Sequence, residues 1–111
     1  MEKLHKKKCI AYKGNVPRFD KNKIYKYLRK VDRWVCKNDN NKNNYLEKKF
    51  KFKNFLESQK FTIKVGLIAE REKHHPDISF GWGYAKIKIF THTVKGLAVN
   101  DFILAAKIDQ I

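Results

Sequence analysis

The order of apolar and polar positions divides the chain into segments of two periods. From Asp20, apolar side chains recur at Ile24, Leu28 and Val31, four and three residues apart, with Lys and Arg on the remaining positions. That is the stripe of an amphipathic helix, and Asp20 has the side chain to cap its first turn. A short strand is expected after Trp34 and Val35. The run 37–44 is almost wholly Asn, Asp and Lys and reads as a turn or loop, because Asn and Asp bond to their own nearby backbone. Leu46, Phe50 and Phe52 then alternate with Glu47, Lys49 and Lys51, the period of a half-buried strand, although Lys48 breaks the pattern. The segment 45–52 should pair with the Trp34 strand as a hairpin.

The stretch 54–73 carries both periods. Phe61, Ile63, Val65 and Leu67 alternate as in a strand, yet 20 residues without proline favour a helix that buries Phe55, Thr62, Val65 and Ala69 on one face. Gly66 inside it permits close packing at some cost in propensity. Pro76 is expected to stop this helix. Gly81 and Gly83 flank Trp82 in a connection to a strand over 84–91, where Ile87 and Ile89 alternate with Lys86 and Lys88. Beyond Gly96, residues 98–111 set Leu104, Ile108 and Ile111 four and three apart, a closing helix with Asp101 in its first turn, near the positive end of the dipole. The order is helix, strand, strand, helix, one or two strands, helix. Strands without regular βαβ alternation point to an α+β fold, an antiparallel sheet covered on one face by helices.

A chain of 111 residues has interior for one domain, 1–111, and its two Trp, five Tyr and eight Phe are enough to build that core. Residues 1–12 are basic and lack periodicity, and Gly14, Asn15 and Pro17 punctuate the chain before the first helix. A homo-oligomer would add burial that so small a domain lacks. The net charge of +15 invites a nucleic-acid reading, but only Arg18, Arg29, Arg33 and Arg71 are Arg among 26 basic residues. Arg is the side chain suited to bidentate phosphate and base contacts, so a solvated lysine surface is favoured over a nucleic-acid face. Cys9 and Cys36 form no CxxC pair and no zinc-like ligand set. No apolar run approaches a membrane span, and the basic start leads into no signal-peptide apolar region. The expected location is cytoplasmic, with the nucleus also compatible.

Three of the four histidines fall within one window of 19 residues: His74 and His75 at the end of the long helix, and His92 at the end of a strand. Imidazole both gives and takes a proton near neutral pH, and two from different elements can face one substrate from opposite sides. Glu70, four residues before His74, would share a helix face with it and either orient it or bind an amide-like edge of a ligand. A lone histidine at a helix end is more often a dipole-compensating cation. A zinc site is disfavoured because neighbours on a helix point about 100° apart while zinc pairs usually stand four apart. Asp101 read by itself is a helix cap, and Trp82 read by itself is core.

The run Glu70-x3-His74-His75-Pro76, then Trp82, His92 and Asp101 at six, ten and nine further residues, resembles the signature of the pterin-4a-carbinolamine dehydratases; seven positions agree in type and spacing. The segment CIAYKGNVP over 9–17 with Trp34, the run FKFKNF over 50–55, and Thr91-His92 followed by Gly96-Leu97 are similar to other parts of that family. Ile78, after Asp77, departs from the family's aromatic, and Ala98 from its Thr or Ser cap. The resemblance implies a four-stranded antiparallel sheet with about three helices on one face, assembling as a dimer or tetramer. It implies dehydration of 4a-hydroxytetrahydrobiopterin to quinonoid dihydrobiopterin, without cofactor or metal. His74, His75 and His92 would be catalytic, and Glu70, Pro76, Asp77, Trp82 and Asp101 would bind the pterin. Some relatives also serve as dimerisation partners of a transcription factor, so a non-catalytic binding module is the alternative.

Overall fold

The segment that carried both periods folds as a helix, and its neighbours form one sheet against it. The computed structural model describes residues 3–10 and 17–111; Gly14 and Asn15, and with them most of the 9–17 segment, lie outside the described residues. Three helices, α1 (Lys21–Leu28), α2 (Phe55–Glu72) and α3 (Val99–Ile108), pack on one face of a sheet formed by β1 (Val35–Asn38), β2 (Asn44–Lys51), β3 (Asp77–Gly81) and β4 (Tyr84–Ile89). All pairings are antiparallel, in the order β1-β2-β4-β3.

The register follows from the alternation. Leu46 pairs with Ile89, Phe50 with Ala85 and Ile78 with Ile87, so one face collects the apolar side chains, and Leu46, Ala85, Ile87 and Ile89 are fully buried. Asp20 caps α1 as expected, its carboxylate accepting the Lys23 N–H at 2.8 Å. The Asn-rich run is more ordered than its composition implies: Lys37, Asn38 and Asn44 belong to strands, and only 39–43 turns. Asp39 makes that turn by accepting the N–H groups of Asn41 and Asn43 at 2.8 and 2.9 Å.

Two details of α2 differ from the expectation. Phe55 is exposed, 46 %, and Phe61 takes its place on the buried face, packing on Phe50 and Phe52. The helix also ends before Pro76. Lys73 adopts the left-handed conformation, φ 54°; its N–H bonds the Glu70 carbonyl, and the His74 N–H bonds the Ala69 carbonyl. This pair of bonds closes a Schellman motif, which terminates a helix three residues ahead of the proline.

The closing helix is more buried than a surface stripe allows: every residue from Asn100 to Ala106 is inside. Phe102 stacks near Phe19 and Tyr27, with centroids 5.7 and 5.4 Å away. Lys48 keeps its inward place on β2. Its ammonium donates to Asp109 Oδ1 at 2.7 Å and to the Asp32 carbonyl at 2.6 Å, and Asp109 also accepts the Trp34 indole N–H at 3.0 Å. The charge that interrupted the strand pattern is therefore one nearly enclosed half of an ion pair tying β2 to the end of α3.

The basic N-terminal segment is laid against α2 and α3. Leu4 enters the core at 7 % exposure. Lys107 donates to the His5 carbonyl, Cys9 N–H to Glu72, and Ile10 exchanges two hydrogen bonds with the Asn100 side chain. These are polar bonds directed at backbone, which a search for apolar periodicity does not register.

Candidate functional site

His74 is set by the Schellman turn at the end of α2, and His92 by the 3₁₀ turn His92–Val94 that follows β4. Antiparallel pairing brings the start of β3 beside the end of β4, and so brings the two turns together. His74, His75 and His92 line one open cavity of about 710 Å³, with Phe90 and Thr91 between them. The Phe90 ring lies 4.2 Å from the His92 ring, centroid to centroid. A cavity of this size suits a bicyclic small molecule.

The support of His74 differs from the expected one. Its Nε2 lies 2.7 Å from Asp101 Oδ1, while Glu70 bonds His75 instead. The 74 and 75 side chains lie beyond the helix, so helical spacing does not govern which of them meets Glu70. Asp101 is 0 % exposed and its other oxygen accepts the Thr91 hydroxyl at 2.7 Å and the Ala98 N–H at 2.8 Å. A carboxylate that already accepts two donors accepts a third from His74, so Nε2 carries the proton, and among the described residues Nδ1 has no hydrogen-bond partner. Asp101 is thus both cap and histidine support. Ala98, with only a methyl group, offers α3 no side-chain cap, and Asp101 supplies the bond to the Ala98 N–H that holds the first turn.

The remaining expected residues divide. Glu70 touches the site only through His75, and its side chain is 78 % exposed. Pro76 and Asp77 lead into β3, where Asp77 is on the sheet's open face opposite Lys88. Trp82 is neither core nor at the cavity. It occupies the two-residue turn with Gly83 at the far end of the β3–β4 hairpin and is 72 % exposed. Asp101 is beneath the histidines rather than at the cavity surface. Ile78, at the departure from the family pattern, packs against the core.

The cavity also has walls that the spacing argument missed. Cys9, Asn100, Glu72 and Lys107 belong to it. Burial foremost, with the Glu72 carboxylate beside it, pushes the Cys9 thiol up to about 12. Among the described residues no three His, Cys, Asp or Glu side chains converge as a metal site would need.

Residues 17–111 match the model of the family described as pterin 4 alpha carbinolamine dehydratase. The chain belongs to that family. Curated relatives agree over their whole length: 39 % identity over all of both chains in Rubrobacter xylanophilus, and 43 % over 99 % of this chain and 98 % of the relative in Rickettsia canadensis. Both carry the name "Putative pterin-4-alpha-carbinolamine dehydratase". The fold is shared with a solved transcriptional coactivator/pterin dehydratase from Brucella melitensis, TM-score 0.75 at 24 % identity, covering 85 % of this chain and 97 % of that one. It is shared less closely with a pterin dehydratase-like protein identified as a RuBisCO assembly factor in the alpha-carboxysome, TM-score 0.58 at 23 % identity, covering 69 % and 86 %. Among the described residues no helix is long and apolar enough to cross a membrane.

Proposed function

We propose that the chain dehydrates a 4a-hydroxytetrahydropterin, in the first instance 4a-hydroxytetrahydrobiopterin, to the quinonoid dihydropterin. The observation that carries the reading is the convergence of three histidines on one cavity, with His74 held by a buried carboxylate. In this reaction the C4a–O bond breaks and the hydroxyl leaves as water after taking a proton. The N5–H proton is removed, its electron pair forms the C4a=N5 bond, and nothing is oxidised or reduced. One group must give a proton and another take one, which positioned imidazoles do without a cofactor or metal. His74, with Nδ1 unpartnered among the described residues, and His92, on the other turn, serve as that pair. His75, oriented by Glu70, binds the ring.

Turnover of the carbinolamine by single variants tests these roles. His74→Ala and His92→Ala should each lower kcat by about 10²-fold, the scale of one acid–base group, while His75→Ala should act mainly on KM. Equal, small effects on all three would remove the reading.

The α2 face turned away from the core supports a second element of the proposal, a homo-oligomer. Leu56, Ile63 and Leu67 lie seven and four residues apart and are 55 %, 57 % and 67 % exposed. These are three exposed apolar side chains, interrupted by Gln59 and Lys60, on a helix whose other face is already buried, and a second copy of the same helix could cover them. The free thiols Cys9 and Cys36 suit a reducing compartment such as the cytoplasm.

A further inference from the structure

The histidine cavity has a second kind of chemistry at its rim. Lys6, Lys8, Arg71, Lys73 and Lys107 line it, and among the described residues Glu72 is the one lining carboxylate. That carboxylate is already engaged. Its side chain is 6 % exposed; it accepts the Cys9 N–H at 2.9 Å and has Arg71 Nε and Lys107 Nζ each at 3.8 Å. Lys6, Lys8 and Lys73 are exposed, and among the described residues none of them takes part in an ion pair. Among the described residues, three lysines without an acidic partner therefore line one cleft.

Their positions are built rather than incidental. Lys73 is the left-handed residue of the Schellman turn, directly before His74. Lys6 and Lys8 come from the N-terminal segment, whose course beside the cavity is fixed by Leu4 in the core, by Lys107 on the His5 carbonyl and by the Ile10–Asn100 pair. Lys6 and Lys8 thus reach the cavity from a different stretch of chain than the histidines. A pterin ring is uncharged and gives lysines nothing to neutralise. Cations gathered at a cleft raise the local concentration of an anion and draw it in.

We propose that the cavity takes a pterin whose side chain ends in an anion, a phosphate or a carboxylate, with Lys6, Lys8 and Lys73 as the residues that select it. This rests on the dehydratase reading for the place of the ring and goes beyond it in naming the substrate class. Each exposed lysine–anion pair contributes little alone, so the three together should give about a tenfold preference.

Binding and turnover separate the two ideas. Titrations by pterin fluorescence at low salt would compare neopterin, neopterin monophosphate and folate. Either charged ligand should bind about tenfold tighter than neopterin, and which one does so identifies the anion. In the Lys6→Ala, Lys8→Ala, Lys73→Ala triple variant the ratio should fall to near one, as it should for the parent at high salt. Equal affinity of the parent for the neutral and both charged ligands overturns the proposal, as does a triple variant that keeps the ratio. If the preference is present but no carbinolamine is turned over, the anion site stands and the dehydratase reading fails. If neutral and charged carbinolamines are turned over with the same kcat/KM, the anion site fails and the dehydratase reading stands.

Discussion

A carboxylate with no exposure to solvent must fill its lone pairs from the protein, and Asp101 does so with Thr91, Ala98 and His74. The arrangement couples a helix start to a functional imidazole, so one substitution should disturb both. Asp101→Asn replaces one acceptor oxygen by a donor that faces a donor. We expect kcat to fall about 10- to 100-fold, the usual cost of losing a histidine's supporting partner, and the fold to lose about 1–3 kcal/mol, read by urea denaturation. An unchanged kcat would show that His74 does not depend on this support. Spacing marked Asp101 as a candidate and gave His74 the wrong partner. A bond across 27 residues of chain is made by tertiary packing, and the four-residue spacing of Glu70 and His74 places them on one face only while the chain is helical, which it ceases to be after Glu72. Cys9 is a second residue whose chemistry the fold alone reveals. Its thiol keeps its proton up to about 12 against an ordinary 9.0, so its contribution is intact below pH 9 and is lost as pH rises from there. In a Cys36→Ser background, iodoacetamide at about pH 8.5 should alkylate native Cys9 at least about tenfold more slowly than in urea; equal rates would contradict the burial.

Among the elements, the ends carry more information than the middles. Periodicity located α1, β2 and α3 to within a few residues because each buries one face against the same core, while α2, where the two periods conflicted, was marked by its length without proline. It missed where α2 stops, since Lys73 in a left-handed conformation is not a glycine and announces nothing. It also read Lys48 as an interruption, when that lysine is one half of the pair that joins β2 to the end of α3. Both partners are nearly enclosed, at 9 % and 10 % side-chain exposure. Asp109→Ala would leave the Trp34 N–H without its acceptor and the Lys48 ammonium with only the Asp32 carbonyl and the more distant Asp32 carboxylate, and the cost should be about 2 kcal/mol. Denaturant midpoints of parent and variant read this directly. A change below about 0.5 kcal/mol, the range of an ordinary surface substitution, would mean that the pair does not tie the sheet to the helix.

For the molecule as a whole, three helices on one face of a four-stranded sheet leave two surfaces open. Five lysines, Lys37, Lys49, Lys51, Lys86 and Lys88, stand on the sheet's free face, where Lys49 is directly opposite Lys86, and four more line the cavity. The other open surface is the α2 face that carries Leu56, Ile63 and Leu67. If it is covered by a second copy, Leu67→Glu should lower the mass measured by light scattering to that of one chain while leaving the fold intact. A parent that is already monomeric would rule the oligomer out. The fold class and the three histidines were legible in the sequence, because each depends on local pattern or spacing. The N-terminal wall was not, since polar bonds to backbone leave no periodic trace.

The central claim is that this cavity dehydrates a carbinolamine by its own histidines. The measurement that meets it most directly is the loss of 4a-hydroxytetrahydrobiopterin, formed in situ and followed by ultraviolet absorbance, with the parent and with the His74→Ala, His92→Ala double variant. We expect acceleration over buffer by the parent and a rate indistinguishable from buffer with a folded double variant. A parent no faster than buffer, or a double variant as fast as the parent, would contradict it.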